Sequence, residues 1–197
     1  MKVDIIAIGT SAGGIDALKK VFANFRSTDK VAIVIIQHVS PSSKSYLSNI
    51  VAGLVDVDVY EIEDKMEVKR GAIFIAPPNY HVLIEKVGTF TLTTTEKVCF
   101  ARPSIDVTFE SIADAFGESA IGLILTGANH DGGQGLKLMK EAGGYTIVQN
   151  PVTAEAREMP EYAIKHADVD EIIALDKIGE RLNEIIMNSG ENRCQNA

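Results

Sequence analysis

The chain has 197 residues, 46% of them apolar and 23% charged, and a formal net charge of −8. That length suits one globular domain with a sizeable core. An acidic balance with no dense Lys/Arg run argues against nucleic acid as a partner. No apolar stretch approaches the ~20 residues that span a bilayer, and Met1-Lys2-Val3-Asp4 lacks the charged and apolar regions of a signal peptide. Two cysteines, Cys99 and Cys194, make neither a disulfide framework nor a metal-ligand set. The expectation is a soluble cytoplasmic protein with no metal and no cofactor.

In chain order, the apolar run Val3–Ile8 predicts a buried strand, and Ile15, Leu18, Val21, Phe22 and Phe25 recur at helical spacing after it. "KVAIVIIQH" (30–38) predicts a second buried strand, which completes the βαβ pattern of a parallel sheet. "SPSSKSYLSNIVAGL" offers a loop and then a helix with Leu47, Ile50, Val51 and Leu54 inward, and "VDVDVYEI" (55–62) alternates as an edge strand does. Residues 71–96 read as a strand, a Pro-Pro break and an antiparallel hairpin turning at Val87-Gly88. Ile105, Phe109, Ile112 and Phe116 then share a helical face, with Ser104 as N-cap and Gly117 as stop. "SAIGLILTG" (119–127) is a further buried strand, running into the Gly-rich "TGANHDGGQG". A short helix closed by Gly143-Gly144, the strand "YTIVQN", a helix with Pro160 in its first turn, the strand "EIIAL" and a helix capped by Asp176 complete the chain. The expected fold is a three-layer α/β/α doubly wound, mostly parallel sheet with a small antiparallel hairpin insertion. It forms one domain over 1–188, followed by a mobile polar tail, 189–197.

The turn after the first strand, Gly9-Thr10-Ser11-Ala12-Gly13-Gly14, invites a phosphate-binding interpretation, which fails. A dinucleotide fingerprint needs glycine where Ser11 stands and an acidic end to the second strand, which is Gln37-His38 here. A P-loop needs Gly-Lys-Ser/Thr, whereas Gly14 is followed by Ile15 and Asp16, and an acidic first turn repels phosphate. G-x-S-x-G between a strand and a helix does match a nucleophile elbow, although a simple βα turn yields the same letters. Two further groups share the carboxyl edge of the sheet, where functional groups of open α/β sheets gather. His38 ends the second strand, and Asp131 follows the strand 119–126. A hydroxyl, an imidazole and a carboxylate are what a serine nucleophile needs. His81, His130 and His166 compete for the base role, and Asp131 before Gly132-Gly133 also fits a turn aspartate or helix N-cap.

Six segments in order, "AIGTSAGGIDAL", "VIIQHVSP", "GAIFIAPPNYHV", "ARPSIDVTFES", "LTGANHDGGQGL" and "QNPVTAEAREMPEYAI", resemble the catalytic domain of the chemotaxis protein-glutamate methylesterases. The resemblance implies Ser11, His38 and Asp131 as the catalytic triad, with the backbone N–H of Ala128 as oxyanion donor; elbow geometry adds that of Ala12. It implies hydrolysis of glutamate methyl esters, and deamidation of glutamines, on chemoreceptor signalling helices through an acyl-enzyme. Arg102 and Arg157 are candidates for steering an acidic receptor helix toward this acidic protein. The sequence departs from the family at Ala128-Asn129-His130, where relatives carry Met-Gly-Asn, and in the Arg157-Glu158 segment. Many relatives also carry an N-terminal receiver domain, whereas Met1 here leads straight into the first strand. A stand-alone or truncated esterase is therefore expected, without aspartyl phosphorylation in this chain. The competing readings are a serine hydrolase of another ester or amide and a non-catalytic signalling module on the same fold.

Overall fold

The computed structural model describes residues 2–26, 28–38 and 46–191; the expected loop at 39–45 and most of the expected tail lie outside the described residues. The first strand, β1 (Ile5–Thr10), is buried along its whole length, as a strand covered on both faces must be. It is followed by α1 (Gly14–Asn24), β2 (Ala32–Gln37), α2 (Leu47–Ala52), β3 (Asp58–Glu61) and β4 (Ala72–Ile75). The hairpin β5 (His81–Ile84) and β6 (Phe90–Thr93) comes next, then α3 (Ile105–Phe116), β7 (Ala120–Ile124), α4 (Gly133–Glu141) and β8 (Tyr145–Gln149). The last elements are α5 (Glu158–His166), β9 (Glu171–Ile173) and α6 (Ile178–Glu191).

Seven parallel strands lie in the order β3-β4-β2-β1-β7-β8-β9, and the hairpin forms a separate two-stranded sheet. Alternation along β1 divides the core. Ile5 and Ala7 pack with Phe109 of α3, Leu136 of α4, Met159 of α5 and Phe90 of the hairpin. Ile6 and Ile8 pack with Leu18 and Phe22 of α1, Val51 of α2 and Leu182 of α6. Each such Ile or Phe removed from water contributes roughly 1.5–3 kcal/mol, so these faces fix the order of the layers. The hairpin docks through its backbone as well. Thr108 Oγ1 of α3 donates to the Val82 carbonyl at 2.9 Å, and Ile84 N–H donates to Ser111 Oγ at 3.0 Å, which covers a strand edge that would otherwise be unpaired.

The chain leaves β1 for β2 on one side and returns through α3 to β7 on the other, so β1 and β7 flank the switch in strand order. The crevice above such a switch is where α/β sheets place ligands. Ser104 caps α3 and Gly117 ends it, as expected. Two expectations need correction. Ile15 is 40% exposed, because the buried stripe of α1 runs through Gly14, Ala17, Leu18, Val21 and Phe22 and leaves Ile15 on its flank in the first turn. Asp176 does not cap α6 directly: it lies in a 3-10 turn, Leu175–Lys177, and α6 starts at Ile178 and runs through Glu191.

Candidate active site

Ser11 is the first residue past β1 and is half-buried. Its N–H donates to the Thr126 carbonyl at 3.0 Å, and its carbonyl accepts from Gln37 Nε2 at 2.8 Å. The turn is thus fastened on both sides, by the strand ends of β7 and β2. Gly13 follows with φ 76, and a Cβ there would come within 2.7 Å of Glu155 Cβ, so both conformation and space demand glycine. Gly127 stands against the serine itself: a Cβ there would lie 3.0 Å from Ser11 Cβ and 1.9 Å from Met159 Sδ.

His38 enters from the neighbouring strand end, its N–H donating to the Thr10 carbonyl at 3.1 Å. Its Nε2 meets Asp131 Oδ2 at 2.7 Å. Asp131 is fully enclosed and accepts three more bonds: Ile105 N–H at 2.7 Å on Oδ2, and Ser104 Oγ at 2.8 Å and Asp106 N–H at 3.0 Å on Oδ1. Burial works against its charge, but the donors from His38, Asp106 and Ile105 outweigh it and hold the carboxyl below its usual value. A carboxylate pinned in this way fixes the imidazole tautomer with the proton on Nε2 and leaves the Nδ1 lone pair as the basic position.

The structure brings His38 and Asp131 into direct contact and sets Ser11 beside them, but it does not join Ser11 to His38. Among the described residues, Ser11 Oγ makes no hydrogen bond, and His38 Nδ1 accepts instead from Asn129 Nδ2 at 3.0 Å. The backbone N–H groups of Ala12 and Ala128 donate to no described residue, as free oxyanion donors would. Arg157 is exposed at the start of α5. Arg102 plays a structural part, since its Nη1 donates to the carbonyls of Thr94 at 2.8 Å and Thr95 at 2.9 Å, closing the chain that leaves the hairpin.

The competing histidines are occupied elsewhere. His81 is buried, accepting from Ser104 N–H at 3.2 Å and donating to the Glu96 carbonyl at 3.0 Å. His130 stacks on Tyr162 with centroids 4.5 Å apart, and His166 stacks on that same ring at 3.9 Å. Cys99 lies near Asp106 and Asp131, a trio whose ligand atoms fall within 4.8 Å of one another. The Asp131 oxygens in that trio are already committed to four donors. Partial desolvation and the Asp131 and Asp106 charges push the Cys99 thiol up, away from the nucleophilic thiolate.

Sequence reasoning missed Asn129, Gln37 and Asp106 at the site, and it foresaw Ser104 as a helix cap but not as a donor to Asp131. Asp106 accepts Gly132 N–H at 2.9 Å and Gly135 N–H at 2.7 Å on Oδ1, capping α4 from the first turn of α3. The available signals were an acidic residue in a helical first turn and an Asn two residues before an Asp, the spacing of an Asx turn.

Fold and geometry together define a doubly wound α/β protein with a serine, a histidine–carboxylate pair and, among the described residues, unpaired backbone donors at the carboxyl edge of its sheet. The family model described as CheB methylesterase matches residues 6–182. A Leptospira interrogans protein, which provisionally bears the name protein-glutamate methylesterase/protein-glutamine glutaminase, is 44% identical over 193 residues, spanning 98% of this chain and 100% of that protein. A Trichodesmium erythraeum protein named protein-glutamate methylesterase/protein-glutamine glutaminase is 32% identical over 187 residues, 92% of this chain and 53% of that one. The crystal structure of the Thermotoga maritima CheB methylesterase catalytic domain superposes with a TM-score of 0.88 at 30% identity, covering 94% of this chain and 100% of that one. The chain belongs to the CheB methylesterase family.

Proposed function

We propose that this chain hydrolyses glutamate γ-methyl esters, and deamidates glutamine side chains, on the signalling helices of chemoreceptors in the cytoplasm. The names borne by its relatives support that substrate class. No helix among the described residues is long and apolar enough to cross a membrane. The observation that carries the chemistry is the 2.7 Å His38–Asp131 contact, reached from the strand end beside Ser11.

With Nε2 bound to Asp131, the base is Nδ1. It takes the Ser11 proton as Oγ adds to the ester carbonyl, and the imidazolium that forms is stabilised by Asp131. The oxyanion develops against the Ala12 and Ala128 N–H groups. Collapse breaks the bond to methoxide, which leaves as methanol with the proton from Nδ1; from glutamine, ammonia leaves in the same way. A water then gives its proton to Nδ1 and adds to the glutamyl-Ser11 ester, and Ser11 departs with that proton to leave the γ-carboxylic acid, which releases its own proton to solvent and becomes glutamate. Arg157 is free to meet acidic receptor residues.

Methanol release from methylated receptor fragments tests this reading. Ser11→Ala should lower the rate about a thousandfold or more, because the nucleophile cannot be replaced in place. Equal release by the two proteins contradicts the reading, as does no release by a folded wild-type chain.

A further inference from the structure

In the proposed reaction, on which this inference rests, His38 has one basic position, and that position is taken. Nε2 carries the proton that binds Asp131 Oδ2 at 2.7 Å, so Nδ1 presents a single lone pair. Asn129 Nδ2 donates into it at 3.0 Å. The orientation of the Asn129 amide is settled by its other end, because Oδ1 accepts the N–H of Asp131 at 3.0 Å. Turning the amide over would face an NH2 against that N–H and an oxygen against the imidazole lone pair, losing both bonds. Meanwhile Ser11 Oγ makes no hydrogen bond among the described residues. The base is therefore held and the nucleophile is not engaged.

We propose that Asn129 is a positioning residue that clasps the catalytic base in a resting state, occupying His38 Nδ1 until the Ser11 hydroxyl displaces it. Asp131 supports both arms of the clasp, through its carboxylate on Nε2 and through its backbone N–H on the Asn129 oxygen. The exchange replaces one neutral hydrogen bond by another. It therefore sets the fraction of molecules in which Ser11 is activated without abolishing activity, and apparent reactivity falls by that fraction. One amide hydrogen bond of ordinary net strength corresponds to about a threefold to tenfold effect.

The experiment is the second-order rate of covalent labelling of Ser11 by phenylmethylsulfonyl fluoride, a small reagent that needs no receptor, followed by intact mass. Asn129→Ala and Asn129→Gly should label about threefold to tenfold faster than wild type. Asn129→Asp keeps the turn-forming oxygen but faces an acceptor to the lone pair. It must repel the ring or draw a proton onto Nδ1, and labelling should fall at least about tenfold. A residue that merely shapes the turn gives the reverse order, with Asp tolerated and Ala and Gly impaired. That order, or rates equal to wild type in variants that still melt cooperatively, overturns the proposal. Ser11→Ala separates the two levels: labelling that survives it removes the nucleophile reading, and the clasp with it.

Discussion

Asp131 and Asp106 cap each other's helices. Asp131, just before α4, accepts the N–H groups of Ile105 and Asp106 at the start of α3, while Asp106 accepts those of Gly132 and Gly135 at the start of α4. Each carboxylate satisfies donors that a helix end leaves unpaired, and each sits in the favourable field of the other's helix. The result is a rigid joint that delivers Asp131 to His38. It also leaves two acidic groups close together in a poorly solvated place. Burial, opposed by the Gly135 N–H and reinforced by the Asp131 charge, pushes Asp106 up to about 6.

A pH dependence of stability results. The folded state binds a proton at Asp106 more tightly than the unfolded state does, so this residue's contribution is most favourable below the unfolded value near 4. It weakens as pH rises through about 6. Asp131 acts in the opposite sense, losing its contribution only as pH falls below the ordinary carboxyl value. Asp106→Asn keeps a carbonyl oxygen for Gly132 and Gly135. It should remove the decline between pH 4 and 6, on the order of 1–2 kcal/mol after allowance for solvent screening. Denaturant titrations of both proteins at pH 4.5 and 7.5 measure this, and a variant whose stability still falls by the same amount contradicts it.

The isosteric Asp131→Asn change should not be structurally silent. Each carboxylate oxygen accepts a backbone N–H, from Asp106 on one side and Ile105 on the other. Whichever way the new amide turns, an NH2 faces a buried N–H. Thermal melts should show a loss of about 1–3 kcal/mol, and turnover should drop by roughly 10^4 as the imidazole loses its anchor. A variant with wild-type stability would contradict this account of the joint.

Gly127 and Gly88 make a matched pair. A methyl at Gly127 meets Ser11 Cβ and Met159, whereas one at Gly88, where φ is 83, meets nothing within 4 Å. Gly127→Ala should cost about 1–3 kcal/mol and sharply reduce turnover, since Ser11 must shift. Gly88→Ala should cost about 1 kcal/mol of backbone strain and leave turnover unchanged. Parallel melts and initial rates distinguish the two effects.

The arginines should separate in the same way. Arg102→Ala removes two bonds to the Thr94 and Thr95 carbonyls, so it should lower stability by about 1–3 kcal/mol with KM for receptor fragments within twofold. Arg157→Ala should leave stability unchanged and raise KM severalfold at low salt, an effect that fades as salt increases. A KM effect confined to Arg102 reverses these roles.

Much of this was readable in the chain, for identifiable reasons. Buried parallel strands announce themselves as apolar runs, and their carboxyl ends place Ser11, His38 and Asp131 at one edge without knowledge of any side-chain rotamer. Ile15 misled because helical spacing alone does not say how wide the buried stripe is. Asn129 stayed hidden beside His130, which competed for the base role and drew the attention to itself. The ring of His130 lies instead on Tyr162, a contact decided by α5 packing on α4 and invisible in local spacing. Which imidazole nitrogen faces Asp131 is likewise a tertiary fact, and it decides which atom takes the proton in the proposed reaction.

The most direct measurement for the central claim is acid-quenched mass spectrometry of the wild-type chain during turnover of a methylated receptor fragment. The account predicts a glutamyl adduct on the peptide containing Ser11, formed with release of methanol and absent from Ser11→Ala. Methanol release accompanied by an adduct on a different residue, or undiminished in Ser11→Ala, would contradict it.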